Sequence, residues 1–131
     1  MRDKNGTGKS RVLTRRELAD CCLRFPGAYE DYPFDDDPLS PDAWTVMRHR
    51  ENRKSFALIF ERGGFLNINL KCDPAEADFL RGVYRSVTPA YHMNKEHWIG
   101  VRLDGGVPEA ELFAWVERSF RLTLAQKKRK S

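Results

Sequence analysis

At 131 residues, with 40% hydrophobic and 32% charged side chains and eight Phe, four Tyr and three Trp, the chain has the size and composition of one globular domain with its own core, which excludes disorder of the whole chain. No apolar run approaches the roughly 18 residues of a membrane span, and Cys21, Cys22 and Cys72, with no apolar leader ahead of them, predict a reduced, cytoplasmic protein. The net charge of +4 sits at the ends: residues 1–16 hold six Arg or Lys against Asp3, residues 127–130 hold four, and residues 17–126 are left at −5.

Residues 1–12 read as a flexible basic arm, because the first ten mix Gly, Ser, Lys and Asn with only Met1 apolar. Thr14-Arg15-Arg16-Glu17 then has the form of a capping box, and Leu18, Cys21, Cys22 and Phe25 recur at helical spacing. A first helix is predicted to about Arg24, stopped by Pro26-Gly27. From Tyr29 to Phe34 aromatic residues alternate with acidic residues or proline, which predicts a short edge strand carrying Glu30 and Asp31 outward. Asp35-Asp36-Asp37-Pro38 is a solvated acidic loop, since hard-metal sites space their ligands alternately and add a distant Glu.

Three antiparallel strands are predicted at 43–48 (AWTVMR), 55–61 (SFALIFE) and 65–71 (FLNINLK), with Gly63-Gly64 as a tight turn at positive φ. In the last of these Leu66, Ile68 and Leu70 face the core, while Asn67, Asn69 and Lys71 make the opposite face unusually polar. Asp73 as cap, Pro74 in the first turn and Glu76 start a second helix ending near Val83, with Ala75, Phe79, Leu80 and Val83 as its apolar stripe. Residues 99–103 (IGVRL) form a further strand ended by Asp104-Gly105-Gly106. A last helix runs from Pro108 to about Leu124 on an inner face of Leu112, Trp115, Val116, Phe120 and Leu124, ahead of a basic tail at 125–131. The class is therefore α+β: a single two-layer domain at 13–124 in which an antiparallel sheet of about five strands packs against helices, in the order helix, about four strands, helix, one or two strands, helix.

One stretch stands apart from this periodicity. Tyr91-His-Met-Asn-Lys-Glu-His-Trp98 gathers two imidazoles, an amide, an ammonium, a carboxylate, a phenol and an indole, yet fits no catalytic spacing. With Phe25-Pro26-Gly27-Ala28, Tyr32-Pro33-Phe34 and Asn67-Ile-Asn-Leu-Lys-Cys-Asp-Pro74, it resembles the bacterial MmcQ/YjbR family over most of residues 13–124. The resemblance implies a CyaY-like or secretion-chaperone-like fold and a DNA-binding role. The family commonly has glycine where Ala90 stands, and often Leu-Pro-Lys where this chain reads Leu124-Ala-Gln-Lys-Lys128.

DNA binding needs cations for phosphates and groups that stack or read base edges. Arg48, His49, Arg50, Arg53 and Lys54 cluster around a predicted hairpin that could project as a wing. Lys71, Lys95 and the faces of Tyr91 and Trp98 could extend it, and His92, Asn94 and His97 complete the candidate surface. The competing readings are a solvated turn and a buried polar network that fixes the fold. His92 and His97 are five apart, off the one-face spacing of a helix, so no metal is expected, and no cofactor motif occurs. Cys72 at a helix start could have a lowered thiol pKa, but a packing role is the simpler one. The expectation is a monomeric, non-enzymatic cytoplasmic module whose partner is DNA, contacted through the hairpin and basic ends. The alternative is a protein-interaction or small-ligand module using Tyr91–Trp98 or the polar sheet face.

Overall fold

A computed structural model of the protein describes residues 12–124, so the expected basic arm, apart from Val12, and the basic tail lie outside the described residues. The elements are α1 (Arg15–Leu23), β1 (Ala28–Asp31), β2 (Thr45–His49), β3 (Ser55–Arg62), β4 (Phe65–Lys71), α2 (Pro74–Val83), β5 (Val87–Pro89), β6 (Trp98–Arg102) and α3 (Glu109–Thr123). The strands form one sheet in the order β1-β2-β3-β4-β6-β5, every neighbouring pair antiparallel. This is the expected α+β, two-layer arrangement, with three-residue β5 bringing the strands among the described residues to six.

Local chemistry sets the element ends. At α1 the Thr14 hydroxyl accepts from the Glu17 amide at 3.1 Å while the Glu17 carboxylate accepts from the Thr14 amide at 2.9 Å. This reciprocal cap satisfies two donors that a helix start leaves open. Thr14→Ala should cost about 1 kcal/mol in thermal or urea unfolding; an unchanged midpoint would mean that helix packing alone fixes this end. Gly63 and Gly64, at φ 66° and 83°, make the β3–β4 turn as expected.

The core lies between the sheet and the helices. Leu18 of α1, Met47 of β2, Phe56 and Ile59 of β3, Ile68 and Leu70 of β4, Ile99 and Val101 of β6, and Leu112 and Val116 of α3 are almost fully buried there. Ser119 of α3 ties the layers together, donating to the Phe56 carbonyl at 2.5 Å and accepting from the Lys71 amide at 2.8 Å.

Four local expectations are corrected. Asp73 stands at the start of α2 but makes no side-chain cap hydrogen bond. Only Ala77 and Leu80 of α2 are buried, while Ala75 is exposed and Phe79 and Val83 are 63% and 54% exposed. The reason is that α2 sits over β5 and β6 at the sheet margin and offers a narrow strip of itself to the core. Glu30 and Asp31 are half-buried and held in ion pairs, Glu30 with Arg16 at 2.6 Å and Asp31 with Arg48 at 2.7 Å. At the end of α3, Leu124 is exposed and outside the inner face. Among the described residues no helix is long and apolar enough to cross a membrane.

Candidate functional site

Among the described residues, the second face of the sheet carries no helix. Strand alternation sends Val46 and Arg48, Leu58, Phe60 and Arg62, Asn67, Asn69 and Lys71, and Trp98, Gly100 and Arg102 to that side. A small apolar cluster forms on it from Val46, Leu58, Ala90 and Trp98, with Trp44 and Met93 packed against it. Trp44, just before β2, stacks on Phe60 with centroids 4.0 Å apart and planes within 6°.

Residues 90–97, which join β5 to β6, fold back over this face. Their crossing needs the missing side chain of Gly100: a Cβ there would stand 3.0 Å from Thr88 Oγ1, 3.2 Å from Asn69 Oδ1 and 3.4 Å from the Ala90 Cα. Asn69, fully buried, donates to the Tyr91 carbonyl at 2.9 Å, so the polar face of β4 anchors the stretch. Asn94 shapes its turn, accepting from the Glu96 and His97 amides at 2.9 and 3.2 Å. The His97 carbonyl accepts from the Cys72 amide at 2.8 Å. Ala90 is not at positive φ, so the glycine common in the family is not required there; His92 is, at φ 64°.

Three grooves open on or beside this face. An apolar groove of about 410 Å³ is lined by Phe34, Trp44, Leu58, Tyr91, His92 and Met93. Tyr91 also lines a more polar groove of about 710 Å³ with Arg62, Lys95, Arg102, Phe65 and Asn67 among its walls. The Arg62 guanidinium lies 3.8 Å over the Tyr91 ring. Arg102 is paired with Asp104 at 2.8 Å, but neither Arg62 nor Lys95 has a carboxylate partner among the described residues. A third groove, of about 380 Å³, brings Arg48, Lys54 and Lys71 together beside Trp98, with the Lys71 ammonium 5.5 Å over the indole.

The structure thus gathers Arg48, Lys54, Lys71 and Trp98 in one groove and places Tyr91, His92 and Lys95 in the others. The remaining sequence candidates lie elsewhere or serve the backbone. His49 is buried on the helix side, its Nε2 2.7 Å from Thr123 Oγ1 and its ring against Phe56 and Phe120. Arg50 lies over the Tyr29 ring at 5.1 Å. Arg53, at φ 63°, offers its carbonyl to Arg48. Asn94 and His97 act through the turn contacts above. Cys72 is buried in the core, in line with the packing role, and does not show the alternative of a lowered thiol pKa: burial pushes its thiol up, and Arg118, whose Nη2 is 3.3 Å from Sγ, offsets this only in part. Among the described residues no group of three or more His, Cys, Asp or Glu could hold a metal ion.

Phe34, Trp44, Arg62 and Arg102 were not singled out by sequence. The available signal was in residues 56–60 (FALIF), which are apolar at both strand parities and so call for cover on both faces.

Burial holds the His49 pKa below its ordinary 6.5, opposed by Glu51 and reinforced by Lys54. The unfolded chain therefore takes up this proton first. The contribution of neutral His49 is present above about pH 6.5 and is lost as pH falls below it. Unfolding temperatures of the wild type should drop between about pH 7 and 5 more steeply than those of His49→Phe. Parallel curves would contradict this.

A family model described as YjbR matches residues 23–122. The chain belongs to the YjbR family. Relatives include the Bacillus subtilis protein YyaQ, 34% identical over 86% of this chain and 99% of its own length, and Escherichia coli YjbR, 30% identical over 90% and 96%; both carry names that call them uncharacterised. Two crystal structures share the YjbR fold. A Deinococcus radiodurans protein gives a TM-score of 0.76 at 30% identity over 93% of this chain and 86% of that one, and a Pseudomonas syringae protein gives 0.73 at 33% over 86% and 100%.

Proposed function

We propose that this YjbR protein is a DNA-binding module that uses the helix-free face of its sheet, with the basic ends adding phosphate contacts. The observation that carries the reading is the pairing of cations with aromatic rings on one face. Arg62 and Lys95 flank Tyr91, and Lys54 and Lys71 lie beside Trp98. An otherwise acidic body that leaves these cations without carboxylates among the described residues, on the helix-free face and in the groove at its margin that Leu122 and Thr123 also wall, offers phosphate a place to bind. The reading is of a binding protein and not an enzyme, since the exposed His92 ring has no hydrogen-bonded acid or base beside it among the described residues. A reducing, cytoplasmic setting belongs to the same proposal, because Cys21, Cys22 and Cys72 are free thiols.

Titration of the full chain with DNA at increasing salt tests it. Each phosphate neutralised should steepen the log–log slope by about 0.9 for a duplex or about 0.7 for a single strand. Lys54→Glu with Lys71→Glu should flatten the slope by at least one such step. Absent or salt-independent binding would overturn the proposal. The apolar lining of the 410 Å³ groove supports a second reading, a small planar ligand held there without DNA; a metabolite bound equally well at all salt concentrations would favour it.

A further inference from the structure

The apolar and cationic grooves share Tyr91 as a wall, which sets a flat-sided cleft directly beside unpaired positive charge. Duplex DNA presents phosphates outward and keeps its base faces stacked, so a duplex has nothing to put into the apolar cleft. A single strand presents both a charged backbone and free base faces. We propose that the groove lined by Phe34, Trp44, Tyr91 and His92 takes an unstacked base of single-stranded DNA, whose flanking phosphates lie on Arg62, Lys95 and Arg102.

Phe34 and His92 are exposed rings, and both abut Trp44, with centroid distances of 6.4 and 6.1 Å. Leu58, buried in the apolar cluster of this face, completes the lining. Trp44 and Tyr91 are already stiffened by neighbours: Trp44 lies on Phe60, and Tyr91 is packed against Arg62 on one side and the His92 ring at 4.0 Å. A base entering between the rim rings would therefore meet a preformed surface and order little on binding. The backbone of His92 sits in the left-handed region, which costs a residue with a Cβ, and its ring makes no hydrogen bond among the described residues to offset that cost. Strain held at an exposed ring beside an open groove is what a contact residue would leave behind. The volume of about 410 Å³ lies within the roughly 300–1,000 Å³ of small-molecule sites, enough for a base with its sugar.

This inference rests on the DNA-binding reading above, and the test separates the two. Fluorescence anisotropy of the full chain is measured with a labelled oligodeoxythymidine single strand, with a duplex of the same length, and with thymidine monophosphate as competitor. The single strand should bind at least about tenfold more tightly than the duplex, and the mononucleotide should compete only weakly. Phe34→Ser and His92→Gly, both at exposed positions, should each lower single-strand affinity by roughly 5- to 100-fold, the range of one base–aromatic stack. Phe79→Ser on α2 should leave it unchanged. Equal, salt-dependent binding of strand and duplex, indifferent to Phe34→Ser and His92→Gly, would overturn the base groove and leave DNA binding standing. Competition by the mononucleotide at the strand's own affinity would assign the groove to free nucleotides instead, and no binding of either DNA would overturn both.

Discussion

Phe56→Ala should destabilise the fold by about 3–5 kcal/mol, a fall in unfolding temperature of roughly 10–20 °C for a domain of this size. Phe56 has no exposed surface and sits where three parts of the chain meet. It packs edge-on to Phe25, just after α1, at 6.2 Å, and edge-on to Phe120 of α3 at 5.0 Å; the His49 ring lies at 5.2 Å. Phe25 and Phe120 are themselves stacked at 4.8 Å. Truncation removes the ring that both helix-side segments share and leaves a cavity that aromatic neighbours cannot readily collapse to fill. Phe79→Ala, at an exposed position of α2, should stay within about 0.5 kcal/mol. A Phe56→Ala loss no larger than that of Phe79→Ala in the same calorimetric experiment would refute the placement of the core.

The second large effect is expected at Gly100. Valine is favoured in strands, but the preference spans only about 1 kcal/mol. Against it stands the crossing of residues 90–97, with Thr88, Asn69 and Ala90 already closing on the space a Cβ would need. Overpacking of this kind costs about 1–3 kcal/mol. Because two of the groups in the way, Asn69 and Ala90, anchor Tyr91 and begin the crossing stretch, Gly100→Val should also lower DNA affinity. Measured together, stability and affinity should fall; a variant of wild-type affinity would show that the stretch from Tyr91 to Trp98 does not shape the binding face.

Much of the fold is legible in the residues because local signals agree with tertiary ones. The Thr14–Glu17 box, the Gly63-Gly64 turn and the core-facing Leu66, Ile68 and Leu70 of β4 each have a local cause, and each is found as expected. The failures occur where context outside the segment decides. The stripe of α2 is real as a pattern, but the helix lies at the sheet margin, so Phe79 and Val83 stay exposed. The three residues of β5 carry too little pattern to be read as a strand, and only pairing with β6 makes them one. At the candidate site, chemical density marks residues 91–98, whereas the fold decides what they meet. Asn69, read simply as part of a polar face, becomes the anchor of Tyr91. His49, adjacent in sequence to the hairpin cations, is turned by strand alternation into the core. Arg62 and Trp44 become site residues only because the stretch after β5 brings Tyr91 back over the sheet to them.

The central claim is that the helix-free face of the sheet meets DNA. It is tested most directly by recording amide chemical shifts of the isotope-labelled full chain during titration with a short oligonucleotide. The account predicts that the largest shifts fall at Trp44, Arg62, Tyr91, His92, Lys95 and Trp98, with α1 and the exposed side of α2 unmoved. Shifts confined to residues 1–11 and 125–131, or to the helices, would contradict it.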